Sequence, residues 1–254
     1  MDARFTLSQF GIIFQIRNRA GHPYVLIGGQ AVNYWAERYF DAEPELQKYL
    51  PFTSGDIDFQ GNRDDVKHIA NQLELKPLFP AKVNLTALAG AIPLIIDQQP
   101  SSIEVVRSVP GIAPATADAS AIAATFRGQT IRVLDPVSLL ICKVNLALTV
   151  DQTNRQDVWH LKIMFLCVRK FLRELLELVE TGVIPAKGWL GAVNKLSELA
   201  QSTRGRQASK RFDLTWLKIL PLDEIQAAKN AQVVAFREKQ MGRGFAAGFR
   251  PGNS

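Results

Sequence analysis

The chain has 254 residues, of which 47% are hydrophobic and 21% are charged, as in a typical globular protein. This composition excludes a disordered chain, a collagen-like repeat and a coiled coil, and no apolar run reaches the roughly 18 residues that span a bilayer. The formal net charge of +6 leaves an anionic partner or substrate open.

Hydrophobic periodicity divides residues 1–150 into short strands and amphipathic helices. The pattern predicts strands over 24–27, 53–59, 87–96, 102–109 and 130–134. It predicts helices over 5–19, 30–39, 66–75 and 137–148, a loop or short helical insertion over 41–51, and an alanine-rich loop-to-helix stretch over 111–124. We therefore expect a mixed β-sheet flanked by helices in this part of the chain.

From residue 155 onward the pattern is almost wholly helical. It predicts helices over 158–179, 190–200, 212–220 and 223–239, a polar and basic segment over 201–211, and a flexible tail over 242–254. The predicted fold class is therefore α+β, with an α/β domain over 1–150 and a helical domain or bundle over 151–254. The second part has a basic surface, because it carries 17 basic residues against 10 acidic ones, whereas residues 1–150 carry 13 against 14.

The cysteines and the first residues of the chain indicate a cytoplasmic protein. Cys142 and Cys167 each stand in apolar surroundings, which predicts buried thiols in a reducing compartment. Residues 1–20 carry polar and charged side chains throughout, which is not the pattern of a signal peptide. Three histidines and no Cys-x-x-Cys pair argue against a zinc site.

Three acidic residues on predicted strands point to metal chemistry. Asp56 and Asp58 alternate on the strand 53–59, so their side chains lie on the same side, and Glu104 stands alone in an apolar strand. Converging carboxylates repel one another, a divalent cation compensates, and oxygen ligands favour Mg²⁺ or Mn²⁺. Asp97 is the alternative third acid. In the alternative reading, Asp56 and Asp58 are solvated acids on an edge strand.

The order of these pieces along the chain resembles a known superfamily. An apolar strand runs into Gly28-Gly29, a helix begins at once, and Ser54-Gly-Asp-Ile-Asp58 and Glu104 follow. This order is similar to the signature of the polymerase-β-type nucleotidyltransferases. In that superfamily a strand–Gly–Gly/Ser–helix element holds the nucleotide phosphates, and a paired acid motif and a third acid hold two metal ions.

Further motifs are similar to the AbiE-type toxins of bacterial abortive-infection and type IV toxin–antitoxin systems. That branch pairs a Ser-x-Asp-x-Asp strand with a helix lysine and a later Arg-x-Lys-Asp motif. The matching positions here are Ser54, Asp56, Asp58, Lys143 and Asp157. Two features differ from the branch. Gln156 stands where a lysine is more common, and 27 positions separate Gly29 from Asp56 because residues 41–51 look inserted.

The resemblance implies an enzyme that moves a nucleotide from ATP or another nucleoside triphosphate to an acceptor hydroxyl. The implied catalytic residues are Asp56, Asp58, Glu104, Lys143 and Asp157, with the first three as ligands of Mg²⁺ or Mn²⁺. The implied nucleotide-binding residues are Gly28, Gly29, Ser54 and Lys143. Lys143 would neutralise charge on the transferring group or the leaving pyrophosphate, and Asp157 would orient Lys143 or contact the nucleotide. Alternatively, Lys143 is a snorkelling lysine and Asp157 pairs with Arg155 or caps a helix.

The resemblance leaves the acceptor open among an RNA such as tRNA, a protein hydroxyl and a small molecule. It also implies an antitoxin protein as a partner, and no membrane is expected. Eight basic residues near the end of the chain are expected to contact RNA phosphates or, alternatively, to form a solvated helical face. They are Arg204, Arg206, Lys210, Arg211, Arg237, Lys239, Arg243 and Arg250. The alternative function is a catalytically idle module of the same fold that binds RNA or the antitoxin.

Overall fold

The computed structural model describes residues 3–81 and 86–241, with the backbone alone at 240 and 241. The chain divides into two compact units: residues up to Arg38 with Gln47–Cys142, and Tyr39–Leu46 with the chain from Lys143 onward. The predicted α+β class is confirmed. The predicted domain boundary at residue 150 stays a prediction, and the predicted flexible tail lies outside the described residues.

The strands of the first unit form one mixed sheet in the described part of the chain. Their bounds are β1 Val25–Ile27, β2 Ile57–Gln60, β3 Leu88–Ile96, β4 Gln99–Val106, β5 Ala121–Phe126 and β6 Gln129–Leu134. The order across the sheet is β3-β4-β2-β1-β6-β5. β1 pairs antiparallel with β2 and parallel with β6, and β2 pairs parallel with β4. The hairpins β3–β4 and β5–β6 complete the two edges. The central strands β1 and β2 are thus held on both sides.

Helices connect these strands. The 3₁₀ helices span Leu7–Gln15 and Pro44–Tyr49, and the α-helices are α1 Gly28–Tyr39, α2 Arg63–Gln72, α3 Pro114–Ala119 and α4 Pro136–Thr149. α2 begins at Arg63, three residues before the predicted helix 66–75, because the Asn62 side chain accepts hydrogen bonds from the backbone N–H groups of Asp64 and Asp65. The Asp135 carboxylate does the same for the first turn of α4, where it accepts from Val137 and Ser138.

The second unit is helical where the structure describes it. Its elements from residue 157 onward are α5 Asp157–Glu180, α6 Ala186–Gln201, α7 Thr203–Phe212, the 3₁₀ helix Trp216–Ile219, α8 Leu222–Ala227 and α9 Ala231–Met241. Two tryptophans anchor the core, since Trp189 donates to the carbonyl of Leu172 and Trp216 donates to that of Gly205. Among the described residues, no helix combines the length and the apolar character needed to cross a membrane.

Four predicted elements are wrong in kind or extent. The stretch 111–124 contains the helix α3 and then enters the strand β5, the N-terminal helix is a 3₁₀ helix, and the predicted helix 212–220 is reduced to the 3₁₀ helix Trp216–Ile219. The predicted helix 223–239 is divided into α8 and α9. The Glu180 carboxylate accepts hydrogen bonds from the backbone N–H groups of Lys229 and Asn230, just before α9 begins. Cys142 and Cys167 are buried thiols, as predicted.

Candidate active site

The sheet register brings the predicted acids together. β2 lies between β1 and β4, and Asp58 is the register partner both of Ile27, at the end of β1, and of Glu104 in β4. Asp56 lies just before β2, two residues from Asp58. Directly paired residues on neighbouring strands share a face of the sheet, as do alternate residues along one strand. The three carboxylates therefore meet at the end of β2 that adjoins the start of α1.

These carboxylates form a group that could hold a metal ion. One oxygen atom from each of Asp56, Asp58 and Glu104 lies within 4.8 Å of the other two, and all three residues are half-buried. Oxygen ligands of one Mg²⁺ lie about 3–4 Å apart, given bonds of about 2.1 Å in an octahedron, so small side-chain movements would close the set. The donor chemistry and the spacing thus fit a hard divalent cation.

Gly28 makes room for one of these acids. Its φ of +69° favours glycine, and a Cβ atom at this position would lie 1.8 Å from Oδ2 of Asp58. No side chain fits there unless the carboxylate moves. The glycine predicted from sequence to contact a phosphate therefore also determines where Asp58 can lie.

Gly28 and Gly29 open α1 directly after β1, beside the carboxylates. The first backbone N–H groups of a helix lack partners within the helix, and they attract anions. Gly28 is half-buried and Gly29 is buried. The predicted binding of nucleotide phosphates by this turn stays a prediction.

Ser54 contacts a predicted metal ligand. Its hydroxyl donates to Oδ1 of Asp56 at 3.1 Å, and the residue is buried. From the other side, Ser101 of β4 donates to the carbonyl of Gly55 at 2.8 Å. The turn that carries Asp56 is therefore held by hydrogen bonds at two successive residues. The predicted phosphate contact of Ser54 stays a prediction.

Three further residues support this turn and were missed by the sequence analysis. Phe5 and Ser54 exchange both backbone hydrogen bonds, at 2.8 and 3.0 Å. The Gln30 side chain, on α1, also donates to the carbonyl of Phe5, and Asn33 donates to Gln30, each at 3.0 Å. Gln30 and Asn33 are fully buried. Polar residues three positions apart on the buried face of a helix were the available signal.

Glu104, rather than Asp97, completes the group of three carboxylates. Asp97 lies in the β3–β4 turn with a φ of +49°, and its Oδ2 accepts a hydrogen bond from Gln9 at 2.6 Å. Residue spacing alone left this choice open, and the register between β2 and β4 decides which acid stands opposite Asp58.

Lys143 and Asp157 form a buried ion pair in the second unit. Nζ of Lys143 lies 2.9 Å from Oδ1 of Asp157, and both side chains are at most 4% exposed. Arg155 donates to the other carboxylate oxygen at 2.6 Å. Burial alone would raise the pKa of Asp157, but Lys143 and Arg155 together hold this pKa below its ordinary value. The contact fits an aspartate that orients Lys143, and the catalytic role of both residues stays a prediction.

Four of the predicted RNA-contacting residues lie on α7 and are exposed: Arg204, Arg206, Lys210 and Arg211. Arg204 donates to the side-chain oxygen of Asn145, and Arg206 donates to the carbonyl of Gln201, both neutral acceptors. Within the described residues, none of the four forms a salt bridge. Arg237 and Lys239 lie on α9. Arg243 and Arg250 lie outside the described residues.

Comparison with known proteins gives distant likenesses among solved structures. No protein-family model and no curated protein matches the sequence. An antigenic nucleotidyltransferase-like protein from Paracoccidioides brasiliensis has a similar solved structure, with 15% sequence identity and a TM-score of 0.49. The match covers 86% of this chain and 96% of that chain.

Proposed function

We propose that this protein is a Mg²⁺-dependent nucleotidyltransferase that moves a nucleotide from a nucleoside triphosphate to an acceptor hydroxyl. The observation that carries the proposal is the group formed by Asp56, Asp58 and Glu104 beside the glycine turn that starts α1. Three carboxylates next to a helix N-terminus combine a site for a divalent cation with a site for phosphate, which is what a metal–nucleotide complex requires.

In the proposed reaction the acceptor oxygen attacks the α-phosphorus of the nucleotide. A new P–O bond forms, the bond from that phosphorus to the bridging β-phosphate oxygen breaks, and pyrophosphate leaves with that oxygen. The hydroxyl proton passes to Glu104. Asp56, Asp58 and Glu104 would hold Mg²⁺, which would supply positive charge to the phosphates and lower the pKa of the acceptor hydroxyl.

The remaining site residues act on the phosphates. Backbone N–H groups at Gly28 and Gly29 bind phosphate oxygens. The hydroxyl of Ser54, which contacts Asp56, donates to a further phosphate oxygen. The sequence resemblance assigns to Lys143 the neutralisation of the charge that builds on the leaving pyrophosphate, and Asp157 accepts a hydrogen bond from its ammonium group.

An RNA acceptor is the part of the proposal that the charge distribution supports. The exposed positions of α7 carry four cations and no acid, which is the charge pattern expected of a surface that contacts phosphates. A protein acceptor, an antitoxin partner, a toxin role and membership in the AbiE-type branch remain predictions of the sequence resemblance. The cytoplasmic location remains a prediction from the cysteines and the first residues of the chain.

The test is the transfer of label from α-labelled nucleoside triphosphates to RNA or protein in a cell extract with Mg²⁺. The variants are Asp56→Asn combined with Asp58→Asn, and Asp64→Asn as a matched control. Asp64 is an exposed acid of the same unit that pairs with Lys67 at 3.0 Å, so it reports any general effect of removing a carboxylate.

Wild type and Asp64→Asn should transfer label, and the double variant should lose transfer while unfolding at the same temperature. Equal labelling by wild type and the double variant would contradict the proposal. RNA binding by the wild type without any label transfer would favour the alternative of a catalytically idle RNA-binding module.

A further inference from the structure

The two aspartates on and beside β2 are held in different ways. Asp58 lies inside the sheet, where hydrogen bonding to β1 and β4 sets its register. Asp56 precedes the first residue of β2, so the sheet does not hold it directly. A metal ligand outside the regular structure needs other contacts to stay in place, because a displacement of about 1 Å already spoils a metal site.

The contacts that hold Asp56 lead back to the start of α1. The Ser54 hydroxyl donates to Asp56, and the Ser54 backbone pairs with that of Phe5. The Phe5 carbonyl accepts two hydrogen bonds, one from the Ser54 N–H and one from the Gln30 side chain, each at 3.0 Å. Gln30 is thus linked to Asp56 through Phe5 and Ser54.

This chain of contacts is shielded from solvent. Gln30 is fully buried, and Phe5 and Ser54 are 2% and 6% exposed. Hydrogen bonds without competing water hold their partners more firmly than exposed ones do. Gln30 also lies two residues after Gly28, which borders the Asp58 carboxylate. The first turn of α1 therefore determines the positions of both aspartates, through Gly28 for Asp58 and through Gln30 for Asp56.

We propose that Gln30 is a positioning residue for the metal site and that the N-terminal segment at Phe5 transmits its effect to Asp56. This inference rests on the proposed function, because it assumes that Asp56 binds a divalent cation. Removing a residue that orients a metal ligand typically weakens metal binding 10–100-fold. The Gln30 side chain is fully buried and donates to the Phe5 carbonyl, so its effect acts through Ser54 and Asp56.

The first test is Gln30→Met, which keeps the approximate volume of the side chain and removes the N–H donor. Mn²⁺ binding to the full chain is measured by electron paramagnetic resonance of the free ion, and the unfolding temperature is measured without metal. The Mn²⁺ dissociation constant should rise about tenfold. Gln72→Met is the control, because Gln72 donates from α2 to the Arg17 carbonyl at 2.8 Å and has no contact with Ser54. This control should bind Mn²⁺ like the wild type.

A second variant separates positioning from stability. Gln30→Met leaves the buried Asn33 amide without its acceptor, which lowers the unfolding temperature. Adding Asn33→Leu replaces both buried polar groups by apolar ones, so the unfolding temperature should recover. The donor to the Phe5 carbonyl is still missing in this double variant, and its Mn²⁺ dissociation constant should stay about tenfold raised.

The outcomes are distinct. Wild-type Mn²⁺ affinity in both Gln30 variants would overturn the positioning role, and so would an affinity that recovers together with the unfolding temperature. Either result leaves the proposed function intact, provided that Asp56→Asn with Asp58→Asn abolishes Mn²⁺ binding. Wild-type Mn²⁺ binding by that aspartate double variant would remove the metal site itself, and this inference with it.

Discussion

Gly28 combines a backbone conformation that favours glycine with a position beside a proposed metal ligand, Asp58. Its Cα lies so close to Asp58 that a methyl group would overlap the carboxylate, with a separation of 1.8 Å from Oδ2. We expect Gly28→Ala to displace Asp58 and to abolish Mn²⁺ binding. The positive φ should in addition lower the free energy of unfolding by about 1–2 kcal/mol. Calorimetric titration with Mn²⁺ and urea unfolding measure the two effects.

Gly21→Ala is the matched control for this prediction. Gly21 has a φ of +80°, yet a Cβ atom there would meet no atom within 4 Å. Both variants should lose similar stability because both place alanine in the left-handed region, but only Gly28→Ala should lose the metal. Normal Mn²⁺ affinity in Gly28→Ala would show that the overlap is relieved without moving Asp58.

The buried pair of Lys143 and Asp157 predicts a pH dependence of stability. The folded-state pKa of Asp157 is below its ordinary 3.8, because Lys143 and Arg155 outweigh the effect of burial. The stabilisation is therefore complete above about pH 4 and is lost as the pH falls further, since the unfolded chain takes up the proton first. Asp157→Asn should lower the free energy of unfolding by about 3–5 kcal/mol at pH 7.

Urea unfolding at several pH values between 7 and 3 measures this effect. The difference between the wild-type and Asp157→Asn curves should shrink as the pH falls below about 4, because the variant has lost the group that titrates. Curves that stay parallel would contradict the account of the pair. Lys143→Met combined with Asp157→Leu should recover much of the stability, because it removes both buried charges.

At the site, sequence reasoning reached the residues whose position follows from strand periodicity. Asp56 and Asp58 were found from their alternation, and Glu104 from its apolar surroundings. Gln30 and Phe5 were missed because their contact joins residues 25 positions apart, and no local pattern reports such a pairing. The close approach of Gly28 to Asp58 was missed for the same reason.

At the scale of elements, β5 shows why one strand escaped prediction. The segment Ala121–Phe126 contains three alanines, which favour helix, and in the sheet none of its residues is fully buried. It becomes a strand because it pairs along its whole length with β6, and Arg127 and Gly128 both take positive φ in the connecting turn. Pairing partners, rather than local propensity, determine such an edge strand.

The apparent insertion between the glycine turn and the aspartates also has a structural explanation. Residues Tyr39–Leu46 belong to the helical unit and not to the sheet unit. There the hydroxyl of Tyr39 donates to Glu174, Arg169 pairs with Glu43 at 2.7 Å, and Leu46 is fully buried. The long spacing to Asp56 therefore reflects an excursion of the chain into the second unit.

The helix α7 predicts opposite effects of one substitution on stability and on binding. Arg206 and Lys210 are like charges at positions i and i+4, an arrangement that destabilises a helix. Arg206→Glu replaces this repulsion by an attraction and should raise the free energy of unfolding by about 0.5 kcal/mol. The same change should weaken RNA binding and reduce the slope of log affinity against log salt by about 1.

Filter binding at several salt concentrations and urea unfolding measure the two effects. Lys187→Glu changes the net charge equally but lies in the first turn of α6, at the opposite end from α7, so RNA affinity should fall less. If both variants weaken binding to the same degree, α7 has no special role in holding RNA.

For the whole molecule, the uneven charge has a physical interpretation. Residues 1–150 carry 13 basic and 14 acidic residues, of which three acids form one group that could hold a metal ion, whereas residues 151–254 carry the basic excess. A net positive charge in one part of a protein raises the local concentration of polyanions. In the proposed function the nucleotide binds at the sheet, and an RNA acceptor binds the helical unit.

The most direct test of the central claim compares the fate of two labels on the same nucleoside triphosphate. With wild-type protein, Mg²⁺ and a cell extract, label at the α-phosphate should become attached to an acceptor, and label at the γ-phosphate should be released as pyrophosphate. Attachment of the γ-label without the α-label would identify a phosphoryl transfer and contradict the account. So would the absence of attached α-label with every nucleoside triphosphate.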